Sequence, residues 1–403
     1  MTLDVFQIDC PAMRIDYTEE QKSLREEMHG YFAELISPEI RAQLGGLEGG
    51  ELYRSVIKQM GDDGWLGVGW PKEFGGQGRT WIEQQIFFDE ARRATAPIPF
   101  VTINTVGPAL MELGTEEQKQ RFLPGILSGD LHFSIGYTEA EAGTDLAALS
   151  TTAVLDGDEY VVNGTKIFTS GANDADYVWL ACRTDPDAKK HKGITILIVD
   201  TKLPGFSTAP IHILNGGSTC MSYYENVRVP KDMVVGEVNG GWRLITLQLN
   251  HERVGLATFS NLAMRLFNEI VDWTKKTEGD DGGMLADQAW VQMTLAEAFS
   301  LLDAMKVMNW KMAWELEQGS PDPAKSSAVK VFGTESALQV YRLLLEVLGA
   351  VGTLREESAG AVLMGQVEHE ARLATVNTFG GGVNEIQREL VAMLGLRMPR
   401  AMR

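Results

Sequence analysis

The stretch LNHERVGL, residues 249–256, sets an acid, Glu252, into a segment that otherwise has the periodicity of a helix interior. Gly240 and Gly241 form a loop upstream, and from Trp242 onward Leu244, Leu247 and Leu249 recur at helical intervals. On such a helix the neighbours of Glu252 three and four positions away are Gln248, Leu249, Gly255 and Leu256, a mostly apolar set. Desolvation disfavours a charged carboxylate and lifts its pKa toward the range in which it serves as a general base. The alternative is structural: an ion pair with Arg253 or with a neighbouring helix that only serves packing.

Two further stretches have the side chains to hold a flat polar ring. FSIGYTEAEAGTDL reads as a strand running into a loop, with Phe133, Ile135 and Tyr137 on one face and Ser134, Gly136 and Thr138 on the other. NGTKIFTSG places Phe168 beside Thr169 and Ser170. A planar heteroaromatic group needs an apolar wall and a few convergent donors, and this is that combination. Each stretch alone is equally compatible with an ordinary strand and turn.

The elements that must position these residues follow from the periodicity. The chain has 403 residues, too many for one core, so two or three domains are expected. At 44% hydrophobic and 23% charged it has an ordinary globular composition. A formal net charge of -19 argues against nucleic acid as a partner, because phosphate binding rests on Lys and Arg. Cys10, Cys182 and Cys220 are scattered without a CxxC pair, and the six histidines form no HExxH, so no metal site is expected. There is no basic segment followed by an apolar core at the N-terminus and no apolar run of membrane-spanning length, so a cytoplasmic location and no membrane are expected.

Residues 1–130 have the punctuation of helices and loops, with 1–12 read as a tail. The first helix starts in YTEEQKSLREEMHGYFAEL, where Thr18 caps and Gln21 answers it, and WIEQQIFFDEARRA and GTEEQKQRFLPGIL follow as helices. Over 131–240 the period is two. Asp-Gly and Asn-Gly in TTAVLDGDEYVVNGTKIF are hairpin signals, and DYVWLACRT, GITILIVD and YYENVRVP continue the β pattern. From 241 to 403 long helical periods return, as in TLAEAFSLLDAMKVMNWKMAWELEQ. The predicted architecture is α+β and multidomain: helices, a β domain, then a helical bundle.

The segments GWPKEFGGQG, GTEEQKQRFLPGILSGDLHFSIGYTEAEAGTDL, NGTKIFTSGANDADY, YYENVRVPKDMVVGEVNGGW and GGVNEIQREL, in this order, make the chain resemble the acyl-CoA dehydrogenase family from YTEEQ to EIQREL. The resemblance implies an N-terminal helical domain, a middle β-barrel and a C-terminal four-helix bundle. It also implies FAD-dependent α,β-desaturation of an acyl-CoA thioester, with electrons passed to an electron-transfer flavoprotein. Carried over by motif, Ile135, Tyr137, Thr138 and Thr144 line the flavin, with Phe168, Thr169 and Ser170 on a second flavin strand; Phe168 stands where the family often has Trp. Thr144, Asn250 and Arg253 fall at acyl-CoA-contacting positions.

The chain departs from the family pattern twice. Most members carry their base in Y-E-G-T-x-x-I-Q-R. Here the text is FGGGVNEIQR, and matching Ile386, Gln387 and Arg388 puts Gly381 where that Glu stands. A minority branch, including isovaleryl and long-chain enzymes, has its base on the first helix of the C-terminal bundle, at the position of Glu252. Glu252 is therefore the expected catalytic proton acceptor, and the run Gly380–Gly382 leaves room for a bulky acyl group unless it is merely a flexible entry to the next helix.

The second departure concerns the far end of FAD, which family homo-oligomers hold with R-x-F-G and Q-x-x-G-G-x-G segments. Here these read KKTEGDDGGMLADQ and EVLGAVG, with Glu346 for Gln and with Glu278, Asp280 and Asp281 where a cation is expected. Acids repel a pyrophosphate. The expectation is an α2β2 heterotetramer with a second dehydrogenase-like subunit, similar to the actinobacterial enzymes that act on steroid side chains. The alternatives are a non-catalytic subunit that completes a partner's site, and an oxidase-like flavoenzyme.

Overall fold

Thr18 opens α1 (Glu19–Leu35): its hydroxyl accepts from Gln21 N at 3.2 Å while the Gln21 side chain takes Thr18 N at 3.0 Å. This satisfies donors that a helix end otherwise leaves unpaired. Thr80 with Glu83 begins α4 (Trp81–Ala94) in the same way, and Thr115 with Gln118 begins α6 (Glu116–Leu127). Between them lie α2 (Pro38–Leu44), α3 (Glu51–Asp62) and α5 (Gly107–Leu113). The structure is a computed structural model that describes residues 16–44, 49–214, 216–246, 248, 259–319, 322–356 and 358–399.

Eight strands follow: β1 (Phe133–Gly136), β2 (Thr152–Asp156), β3 (Glu159–Lys166), β4 (Tyr177–Arg183), β5 (Ile194–Asp200), β6 (Phe206–His212), β7 (Ser218–Pro230) and β8 (Val234–Val235). They form one sheet ordered β6-β7-β3-β2-β4-β5-β8, with β1 parallel to β4 off this path. The sheet branches at β4, and among the described residues no pairing joins β6 to β8.

The Asp156–Gly157 signal is a true hairpin, with Gly157 at φ 65° between β2 and β3. The Asn163–Gly164 signal is not a turn. It sits inside β3 at a register shift against β7, where Asn163 accepts from Asn226 N at 2.9 Å. Gly164, at φ +149°, brings the strand so near its neighbour that a Cβ would lie 2.8 Å from Thr151 Cα. This is a β-bulge, the other use of a strand glycine.

The helices of the first third and the inner face of the sheet share one core, in which Met28, Phe32, Phe87, Phe122, Val178 and Trp179 are buried. The last third has a separate core, built from α7 (Phe259–Thr274), α8 (Ala289–Glu317), α9 (Pro323–Leu348) and α10 (Gln366–Leu373) and closed by α11 (Asn384–Leu390) against α9. Tyr17 joins the two parts, taking a hydrogen bond from Trp310 Nε1 at 2.9 Å, and Ile82 N donates to Glu317 at 3.1 Å. Arg372 on α10 reaches Leu214 O at 2.6 Å and so ties the bundle to the sheet. No helix among the described residues is long and apolar enough to cross a membrane, and no cluster of His, Cys, Asp and Glu there could hold a metal.

Candidate active site

β3 ends on Lys166, which is completely buried. Its ammonium donates to Tyr137 O at 3.0 Å and to the Glu139 carboxylate at 2.8 Å, and Ile167 N donates to Thr138 O at 2.9 Å. These bonds lace the chain leaving β1 to the chain leaving β3, the two stretches predicted to hold a flat ring. Glu139 also accepts from Ser150 N at 2.7 Å, Ser150 Oγ at 2.7 Å and Thr151 N at 2.8 Å. Burial alone would raise its pKa, but the Lys166 charge and these donors outweigh that and bring it down to about 2. At Lys166 burial works in the lowering direction and Glu139 opposes it. Sequence reading missed Lys166. Its signal was a lysine at a strand end next to the aromatic stretch, which by spacing alone looks like any solvated residue.

Tyr137 accepts from Trp179 Nε1 at 3.1 Å and donates to the Gln248 side-chain oxygen. Gln248 is 2% exposed, and its Nε2 has no hydrogen-bond partner among the described residues. The phenol thus joins the sheet to the helical segment that begins at 241. Ile135 and Thr138 are half-buried, while Thr144 is exposed in the bend that follows.

Beyond β3 the chain leaves the strand geometry. Phe168 has φ 61°, and the residue is 57% exposed. A positive φ is uncommon for a bulky residue and persists only when the surroundings impose it. Thr169 then turns inward: it is fully buried, its hydroxyl bonds Ser222 Oγ at 3.0 Å and its N–H donates to Cys220 O at 2.9 Å. The resemblance puts Thr169 beside the flavin; its side chain here is buried within the sheet, on the other side from exposed Phe168, because the positive φ at Phe168 turns the chain between them. Ser170 is exposed again, with its hydroxyl 2.8 Å from Thr219 Oγ1. Phe168 and Ser170 are thus the exposed residues of this stretch and Thr169 the buried one.

In the last third, Gly381 (φ 64°) and Gly382 (φ 100°) form a bend between Thr378 and α11. Glu278 and Met284 bridge a tight turn in which Gly279 N donates to Gly283 O at 2.7 Å, and Glu278, Asp280, Asp281 and Glu346 are exposed. Asn250, Glu252 and Arg253 lie outside the described residues.

The sequence matches the acyl-CoA dehydrogenase N-terminal domain over residues 18–130, the middle domain over 134–227 and the C-terminal domain over 239–396. The chain belongs to the acyl-CoA dehydrogenase family. It is 52% identical to the acyl-CoA dehydrogenase FadE26 of Mycobacterium tuberculosis over 97% of this chain and 100% of that protein. Identity to FadE29 of the same organism is 50%, again over 97% and 100%. Among solved structures it superposes on the Tcur3481-Tcur3483 steroid ACAD with a TM-score of 0.93 at 53% identity, covering 96% of this chain and 100% of that one. The ChsE4-ChsE5 complex from M. tuberculosis gives 0.92 at 53%, with the same coverage.

Acyl-CoA dehydrogenases are FAD-dependent oxidoreductases of the CH-CH group. The middle segment fits that cofactor: Phe168, 57% exposed in an imposed backbone conformation, offers an apolar surface for a flat ring, and the exposed Ser170 places a hydroxyl in the same stretch. Replacing Phe168 by Ala keeps the positive φ but removes the ring, so flavin affinity should fall about tenfold or more. Flavin release on dilution, followed by its fluorescence, measures this. Unchanged retention would show that the ring does not cover the cofactor.

Proposed function

We propose that this dehydrogenase is the base-bearing subunit of a heteromeric enzyme that introduces an α,β double bond into a bulky acyl-CoA thioester of the steroid side-chain class, with Glu252 as the proton acceptor. The observation that supports this reading is the pairing of an exposed Phe168 held at positive φ, next to the motif positions carried over for the flavin, with Gly381, a position without a side chain where most members have their base. A desaturation removes one proton from the α-carbon and one hydride from the β-carbon. FAD, when bound, is the hydride acceptor. Glu252 takes the α-proton, Thr144, Asn250 and Arg253 contact the acyl-CoA, and the glycine bend at Gly381 and Gly382 borders the acyl group. The similar Tcur3481-Tcur3483 structure is described as a steroid ACAD, which supports this substrate class, and the ChsE4-ChsE5 structure is described as a complex, which supports a heteromer.

The proposed partner is a second dehydrogenase-like chain in an α2β2 assembly, with an electron-transfer flavoprotein as acceptor, in the cytoplasm. One face of α8 is buried through Val291, Ala298, Leu302 and Met305, yet Trp290, Met293, Phe299, Val307 and Trp314 on other faces are exposed. A helix apolar on more than one side has more than one neighbour to cover it. The acidic turn at Glu278–Asp281 stands where a cation is needed for pyrophosphate, so the other chain supplies it.

Two measurements test the reading. Expressed alone, the chain should retain little FAD, and a homotetramer with one flavin per chain contradicts the heteromer. The purified complex, given a steroid side-chain CoA thioester without oxygen, should bleach its flavin band. Absence of bleaching with every acyl-CoA sinks the catalytic reading in favour of a scaffold subunit.

A further inference from the structure

Lys330 on α9 is 1% exposed, and its ammonium is directed into the loop that precedes α11. It donates to Gly382 O at 2.7 Å, Asn384 Oδ1 at 2.7 Å and Thr378 O at 3.3 Å. An ammonium has three protons to donate, and here three acceptors from one short loop receive them. Asn384 is fixed in turn, its amide nitrogen donating to Thr334 Oγ1 at 3.1 Å and to Glu335 Oε1 at 3.0 Å. Arg388 Nη2 holds the other Glu335 oxygen at 2.7 Å.

Between the gripped ends lies Gly380–Gly382. Three glycines in a row are the most conformationally free stretch a chain can have, and ordering them costs more entropy than ordering any other residues. The bend nevertheless has defined left-handed geometry at Gly381 and Gly382, and a Cβ on Gly382 would lie 2.8 Å from the Gln387 amide nitrogen. Gly380 N donates to Val376 O at 2.7 Å and anchors the start of the run, but Gly381 and Gly382 have no side chains with which to keep the bend in one shape. A buried charge-assisted donor set keeps it instead.

We propose that Lys330 is a positioning residue for the acyl group: by fixing Thr378, Gly382 and Asn384 it holds the glycine bend in one open conformation and thereby selects which acyl groups fit. The proposal rests on the reading that this bend borders the acyl site. Lys330→Met removes all three bonds, and Lys330→Gln restores a shorter donor that reaches part of them. Both are examined in the complete enzyme complex, with flavin content and melting temperature as structural controls.

In flavin-replete Lys330→Met, KM for a steroid side-chain CoA thioester should rise about tenfold with kcat nearly unchanged, and KM for a straight-chain acyl-CoA should move much less. Lys330→Gln should recover part of the loss. Equal changes for both substrates, or none, overturn the proposal. Should the Met variant fail to fold, Lys330→Gln carries the same comparison with a smaller expected rise. Amide hydrogen exchange across residues 378–384 should quicken about tenfold in either variant, independent of turnover. Unchanged exchange overturns the clamp even in an enzyme that oxidises no acyl-CoA, whereas quickened exchange without any turnover in the unmodified complex counts against the function and not against the clamp.

Discussion

Glu252→Gln should slow flavin bleaching by an acyl-CoA by roughly 10²–10⁴-fold, the range that a positioned base contributes. Glutamine has nearly the same shape and still occupies the site, but it cannot take the α-proton, so thioester binding should persist while the chemical step slows. In free energy this is about 3–5 kcal/mol of barrier. The size of the effect depends on there being no second base, and Gly381 offers no side chain at the position that most members use. Stopped-flow reduction under anaerobic conditions, over a range of thioester concentrations, measures both binding and the chemical step. A Glu252→Gln complex that bleaches as fast as the unmodified one would remove Glu252 from the mechanism and return it to a packing role beside Arg253.

The largest stability effect is expected at Glu139. Changing it to Gln leaves the buried Lys166 ammonium with Tyr137 O at 3.0 Å but without its carboxylate partner at 2.8 Å. Removing one member of a buried ion pair typically destabilises by about 3–5 kcal/mol, because the remaining charge is still desolvated. The pKa of Glu139 leads to a similar magnitude by a separate route. A drop from the ordinary 4.5 to about 2 corresponds to about 3 kcal/mol. A carboxylate whose folded-state pKa is depressed stabilises fully above its unfolded pKa, and that contribution is lost as pH falls through the folded value. The unmodified protein should therefore lose stability between roughly pH 4 and pH 2, and Glu139→Gln should lack this component of the acid limb. Denaturant melts across that window show it. The pair also links the two stretches proposed to line the flavin, so Glu139→Gln should release FAD more readily, which a purely remote structural residue would not do. A variant as stable and as flavin-replete as the parent would contradict the assignment.

Particular residues show how far the text of the chain reached. The Thr18, Thr80 and Thr115 caps lie within three residues of their partners, and such short-range chemistry is written directly in order of appearance. Asp156–Gly157 is a turn for the same reason. Asn163–Gly164 carries the same kind of signal, but its conformation is set by Asn226 on β7 and by Thr151 just before β2, so a local rule misplaced it. Thr169 and Ser170 are chemically interchangeable as hydroxyls, and only the imposed positive φ at Phe168 decides that one faces in and the other out.

Periodicity, capping and the order of long motifs determined the succession of helices, sheet and helices and the family, and they are the ground on which Glu252 is proposed as the base in place of a residue at Gly381. Tertiary structure decided the rest: that Lys166 meets Glu139 across 27 residues, that Tyr137 reaches Gln248 across 111, and that Lys330 meets Asn384 across 54. These are polar groups whose bonds become strong only after packing has excluded water. Before the chain has folded, nothing in a lysine's position along it marks which carbonyls it will hold.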